Sequence, residues 1–515
     1  MEKMQGYNNF DLSHEKKLTC DMGELIPFMC KEVVPGDVWR VHSNLFMRLI
    51  PQLAPFMHTV HAYVHFFFVP SRLVQKNFET FITKGFSGEE DIAWPYVVAP
   101  TGGFGKYSLA DYFGLPVDVA GIAVDAKPFR GYDMIVNEWY LNENVQDYIE
   151  WSDGDGLDET TPLTVQKRNW GSDYFTSALP FAQRGEPVYL PLGTTAPVVG
   201  NGNGLMLTDG TSFGYLGQSS TAANGTFLSS TSSVAANGTV TSAVATGMVN
   251  KVLGVAQSGD QSGLVADLRQ ASAITINEWR VANAVQRWME KNARGGVRYI
   301  EFLFSHFGEK SSDARLQRPE YLGGGKSVIY TSEVLQTSAT DSTSPQGNMA
   351  GHSMTGQKSM SFTRRFEEFG FVFGILSVLP RTQYQQGIER QWTRQTPLDY
   401  YFPSFAHLGA QAVLNKEIYA QGTADDEGVF GFQDRYQELR GAFSTVSGDF
   451  RDTLDYWTMT RKFDSLPQLN EQFVESNPTK RIFSVTNSKV CLVDIGVNAQ
   501  VLRKLPKLGT PGLAA

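Results

Sequence analysis

Three histidines, His58, His61 and His65, form the densest group of metal-competent side chains in this sequence. On a helix they would stand at i, i+3 and i+7 and gather around a zinc ion. The neighbouring residues point to another geometry. Val60, Ala62, Val64, Phe66 and Phe68 alternate with Thr59, His61, Tyr63 and His65, which is the period of a half-buried strand. A strand turns His58 away from His61 and His65, so a three-histidine site is not expected. A polar strand face set against a loop or another subunit is the plainer reading. A two-histidine site completed by a distant carboxylate stays open.

Other motifs fall short of chemistry in similar ways. LGGGKS, Leu322 to Ser327, approaches a phosphate-binding loop, but Glu320 stands where that loop needs its first glycine. It reads as a glycine-rich turn. DGDGLDE, Asp153 to Glu159, starts like a calcium loop and does not complete the pattern. It reads, with ADDEG at Ala424 to Gly428, as solvated acidic loop. HExxH does not occur. Cys20 and Cys30 are too far apart for a metal knuckle, and with Cys491 they read as structural thiols. No catalytic residue, metal site or cofactor is therefore expected. Basic residues cluster at Arg364-Arg365, between Phe362 and Phe366, and at Arg503, Lys504 and Lys507. Cations beside rings suit a single-stranded nucleic acid, with phosphates neutralised and bases stacked. They suit ion pairs between subunits equally well.

The elements that must position these groups are mostly strands. The chain has 515 residues, 12% aromatic and with 49 glycines, which leans toward a β-rich, loop-rich protein. Its net charge of -9 argues against holding nucleic acid by overall charge; a local basic patch or a basic helper is required. Sparse cysteine suits a reducing cytoplasm. The N-terminus lacks the apolar run of a signal peptide, and no apolar stretch is long enough to span a bilayer.

SVIYTSEVLQT and FGFVFGILSVLP read as strands, and RIFSVTNSKVCLVDIGVNAQVLRKL as a last strand pair. Thr275 or Asn277 caps a helix carrying Ile276, Val281, Ala284, Val285 and Trp288, which Gly295-Gly296 ends. VRYIEFLFSHFG fits a second helix better than a strand. DSTSPQGNMAGHSMTGQKS reads as a mobile loop. These elements suggest one β-sandwich with helices in its connections. Between Gly185 and Asn250 there is no Lys or Arg, and the charges are Glu186 and Asp209 alone. Residues 191–261 accordingly read as an insertion of short strands and turns that packs only when neighbours join it, with a flexible linker as the alternative. The NGT triplets at Asn224 and Asn237 read as hairpin tips. The flanking segments 1–190 and 262–515 would form the body.

Several ordered blocks resemble the major capsid protein of microviruses, small single-stranded DNA phages, in its gokushovirus form. They include the opening from Ser13 to Pro70, NEWYLNENVQD, SDYFTSALPFAQRG, DARLQRPEYLGGGKS, SVLPRTQYQQGIERQW, LDYYFPSFAHLGAQAVLNKEIY, FGFQDRYQELR and the closing LPKLGTPGL. The resemblance covers most of the chain outside 191–261. It implies a mainly β fold, an eight-stranded antiparallel viral jelly roll with long inter-strand insertions and a few helices. It implies a non-enzymatic subunit of a T=1 icosahedral shell around a circular single-stranded DNA genome, made and assembled in the bacterial cytoplasm and residing in the virion. Implied partners are further copies of the chain, the genome, a small basic DNA-packaging protein, a minor spike or pilot protein, and a host surface receptor reached by the insertion as a threefold spike. Tyr384, Trp392, Tyr400, Tyr401 and Phe402 are the expected contacts between subunits. A carbohydrate-binding or carbohydrate-active β-sandwich is the alternative.

Overall fold

The computed structural model describes residues 6–186, 188, 276–335 and 349–507, with short strand segments between 198 and 266. The chain forms two compact units: Met1–Arg184 with Glu290–Ala515, and Gly185–Met289.

In chain order the main strands of the larger unit are β1 (Asn8–Asp11), β2 (His14–Cys20), β3 (Ile26–Val33), β4 (Val38–Leu49), β5 (Val60–Pro70), β6 (Glu320–Leu335), β7 (Met349–Arg365), β8 (Gly370–Pro380) and β9 (Cys491–Arg503). They make one curled sheet with two halves, ordered β2–β9–β4–β7 and β6–β5–β8–β3. All these pairings are antiparallel. The long hairpin of β6 and β7 joins the halves where Tyr330 faces Met354. Short β1 extends β9 at its far end. Apart from β1, this is the eight-stranded jelly roll.

Alternation drives the closure. Along β4, Trp39, Val41, Leu45, Met47 and Leu49 are buried while Arg40, Asn44, Phe46 and Arg48 are exposed. The buried row meets Val60, Ala62, Val64, Phe66 and Phe68 of β5 in one core. Rings lock the two halves together: Phe66 on Phe362 at 5.2 Å and Phe68 on Phe366 at 4.6 Å between centroids. Such pairs add about 1 kcal/mol beyond their buried area.

A second core covers the other face of β5. Phe67 and Val69 pack with Phe373 and Ile375 beneath helix α1 (Lys127–Trp139). Gly131 lets that helix approach: a Cβ there would stand 2.9 Å from the Phe373 ring. A third core joins Phe175 to Tyr384, Val413, Phe430 and Phe473 of the long connection between β8 and β9.

In the smaller unit, antiparallel strand pairs link 198–200 with 264–266, 205–208 with 213–216, and 232–234 with 240–242. Helix α2 (Ile276–Gly295) and helix α3 (Tyr299–Phe307) follow, as the sequence predicts. Asn224, Asn237 and Thr275 lie outside the described residues, as does most of 191–261.

Four expectations are corrected. LGGGKS is not a turn; it lies within β6, with a register shift between Tyr321 and Gly323. The glycines serve close strand approach, since a Cβ on Gly324 would meet the Val64 carbonyl at 2.4 Å. DGDGLDE is not simply solvated. Its Asp158 is buried and accepts Arg130 Nε at 2.7 Å. Arg130 also donates to the Val74 and Gly154 carbonyls, so the pair ties the loop under α1. Residues 349–359, expected in a loop, belong to β7, because pairing with β6 and then β4 overrides their polar composition. The last expected strand pair is one strand, β9; Ile482 and Phe483 pack in the core from irregular backbone.

Candidate assembly and nucleic-acid surfaces

Between Tyr384 and Val413 of the third core, the connection from Glu389 to Leu408 winds through three short 3-10 turns. Its shape is fixed from below. The Tyr436 hydroxyl donates to the Tyr400 carbonyl at 2.9 Å and lies 3.2 Å from that of Leu398. Asp399 caps its own turn, accepting the Thr396 amide at 2.7 Å and hydroxyl at 2.9 Å. Arg390 donates to buried Glu417 at 3.0 Å, which also accepts the Tyr174 hydroxyl at 2.8 Å. On this frame Trp392 is 77% exposed, and Tyr400, Tyr401 and Phe402 about half exposed. Leu398 and Leu408 extend the same exposed run. The loop is thus an ordered support holding large rings in water. That arrangement is costly for a free protein and useful at an interface.

Tyr384 differs from its four companions. It is 2% exposed, packs on Phe175 and Phe443, and donates to Asp173 at 2.8 Å. It supports the surface rather than lining it. Tyr299, Phe304 and Phe307 of α3 are exposed too. Sequence reading puts Phe304 and Phe307 at helical spacing but not their exposure, because helical periodicity alone does not tell which side of a helix stays uncovered.

The sheet register brings the two basic groups to one end of the first half-sheet. Arg365 and Leu502 sit on either side of Val38. Their members play different parts. Arg503 donates to Asp37 at 2.6 Å, and Asp37 also accepts the Trp39 indole and the Val34 amide. Arg364 pairs with Glu320 at 2.6 Å. Arg365 and Lys507 are exposed, and Lys504 lies 5.3 Å above the Tyr7 ring.

The histidines separate as the strand reading requires. His58 lies before β5, its Nε2 at 2.7 Å from the Arg381 carbonyl. His65 bonds the Tyr140 hydroxyl at 2.7 Å and stacks on that ring. Burial pushes both imidazoles down to about 4. Among the described residues no group of three or more His, Cys, Asp or Glu gathers at metal-binding geometry. Cys20 and Cys491 are buried free thiols facing each other across β2 and β9. Burial raises the Cys30 thiol to about 12. No helix among the described residues is long and apolar enough to cross a membrane.

A jelly roll whose long connections carry exposed, braced aromatic loops defines the class of shell-forming and surface-recognition β proteins. Comparison with known proteins makes the class specific: residues 4–513 match the phage family "Capsid protein (F protein)". The chain belongs to that family. It is 38% identical to Capsid protein VP1 of Chlamydia phage 1, over 98% of this chain and 95% of the relative. It is 38% identical to Capsid protein VP1 of Bdellovibrio phage phiMH2K, over 93% and 90%. Against Capsid protein VP1 of Spiroplasma virus 4 the identity is 31%, over 98% and 94%. It is a phage capsid protein of the gokushovirus type.

Proposed function

We propose that the chain is the repeating tile of a T=1 icosahedral shell that encloses a circular single-stranded DNA genome and has no reaction centre of its own. The exposed ring cluster on a hydrogen-bonded frame, at 388–408, is the observation that carries this reading. Trp392, Tyr400, Tyr401 and Phe402 insert into a neighbouring copy, and Tyr384 stiffens the frame behind them. Contacts in a closed shell are heterologous around odd axes and isologous at twofolds, so each stays individually weak while the whole is stable.

The body comprises residues 1–190 and 262–515. The insertion 191–261, nearly without charge, forms a protrusion where three copies share their Val, Leu and Phe side chains, and a host receptor is met there. The acidic balance leaves much genome neutralisation to a small basic packaging protein gripped by acidic inner loops, and a minor spike or pilot protein completes the particle. Arg364, Arg365, Arg503, Lys504 and Lys507 lie on the DNA side. Family membership favours this shell over the carbohydrate-active alternative. The test is co-expression with the packaging partner, then sizing and nuclease protection. Uniform particles holding protected single-stranded DNA support the reading; monomers or small rings refute it.

A further inference from the structure

The outward face of the half-sheet β2–β9–β4–β7 is polar and basic, in contrast to the chain as a whole. Arg40 and Arg48 point outward from β4, and Arg365 faces the same way opposite Val38. Among the described residues none of these three arginines has a carboxylate partner. Between them the surface offers uncharged hydrogen-bonding groups: Gln500 opposite Arg40, Asn498 opposite His42, and Thr363 opposite Arg40 on the other side. Arg40 and Arg48 are eight residues apart, about 26 Å along an extended strand.

At the Arg48 end the face opens into a cavity of about 530 Å³ lined by Lys16, Lys17, Phe46, Arg48, Lys106 and Tyr107. Cations and rings are interleaved there. The Arg48 guanidinium stands 5.3 Å from the Phe46 ring centre, and the Lys106 ammonium 4.8 Å from that of Tyr107. Two carboxylates also reach the cavity, and both have other work. Asp111 accepts the Tyr107 amide at 2.8 Å, and Asp494 pairs with Lys17 at 3.5 Å. Tyr107 is held at φ +68°, a region that non-glycine residues seldom occupy and that concentrates at functional sites. Phe46 and Leu492 remain exposed.

We propose that this cavity holds one nucleotide of a single-stranded nucleic acid, its base against Phe46 and Tyr107 and its phosphate between Arg48 and Lys106. The strand continues along β4 past Arg40 to Arg365. The inference rests on the reading of the chain as a genome-enclosing shell and assigns that genome a path. Charge selects the occupant. A net charge of -9 repels polyanions from most of the surface, so this basic strip stands out as a local attractor. Partly exposed rings beside cations favour a nucleotide over an acidic peptide, because a base has a π-face to stack on the open part of Phe46 and Tyr107 and a carboxylate does not.

The test uses the full chain, as subunits and as shells, with fluorescein-labelled oligothymidylate as probe and polyglutamate as competitor. Binding is read by anisotropy across a salt series. The combined variant Arg40→Gln, Arg48→Gln, Arg365→Gln is expected to lower the log–log salt slope by about 2, because each phosphate left without its arginine takes roughly 0.7 from the slope. Phe46→Leu is expected to keep the slope and weaken binding about tenfold. Arg48→Lys, which keeps the charge, controls for misfolding and should preserve the slope. Unchanged slope and affinity in the variants, or no binding by the wild type, would overturn the proposal. So would polyglutamate displacing the probe as well as unlabelled oligonucleotide does. If wild-type shells form and protect DNA while the variants bind normally, the path lies elsewhere and the shell reading survives. If no shell forms and no DNA is protected, that reading fails first.

Discussion

His58 shows how a single side chain sets the pH range of the fold. Nδ1 takes the Met459 amide at 3.3 Å while Nε2 reaches the Arg381 carbonyl at 2.7 Å. Only a neutral imidazole, with its proton on Nε2, fits both partners. Burial is the main cause of its depressed pKa, about 4 against an ordinary 6.5. The sign follows from linkage. Between pH 6.5 and 4 the unfolded chain binds a proton that the folded chain refuses, so stability falls as pH falls. His58 alone accounts for up to roughly 3 kcal/mol of that loss, and His65 acts in the same direction. Melting temperature measured from pH 7 to pH 4 should drop steeply, and His58→Gln should flatten the drop; an unchanged pH profile would contradict this. Asp158 is the second sensitive residue. Asp158→Ala strands the buried Arg130 guanidinium, at a cost of about 3–5 kcal/mol. Denaturant titration should show that loss, and a change under about 1 kcal/mol would mean the pair is not isolated from solvent.

At the scale of elements, β5 and the loop at 388–408 carry the fold and the contact surface. Gly324→Ala should destabilise β6 against β5, since the new Cβ meets the Val64 carbonyl; hydrogen exchange in β6 should rise, and unaltered protection would refute the close-approach account. Trp392→Ala should leave the subunit's melting temperature unchanged and weaken association. A hot-spot loss of about 2 kcal/mol raises the protein concentration needed for assembly roughly thirtyfold, measurable by light scattering. Equal loss of folding would instead make Trp392 a core residue. Much of this was legible beforehand. The alternation in β5 announces a strand because one face meets the sandwich core. That Phe67 and Val69 are buried as well was not legible, because their cover is α1, more than fifty residues later. Arg503 read as a cation for DNA or for another subunit for a similar reason: its partner within the chain, Asp37, is 466 positions away. Local pattern reports periodicity faithfully. It is silent on which charge finds which partner once the sheet has closed.

The whole molecule combines a rigid jelly roll and braced loops with exposed rings, at a net charge of -9. A protein meant to remain alone would gain solubility by replacing the rings at 392–402 with polar groups. Keeping them on a hydrogen-bonded frame makes sense when copies of the chain bury them. The most direct test is electron cryomicroscopy of particles assembled from the expressed chain in the presence of single-stranded DNA. Closed spherical shells are expected, with Trp392, Tyr400, Tyr401 and Phe402 packed against the adjoining copy. Shells that leave those rings in solvent, or a sample containing only small discrete oligomers, would contradict the account.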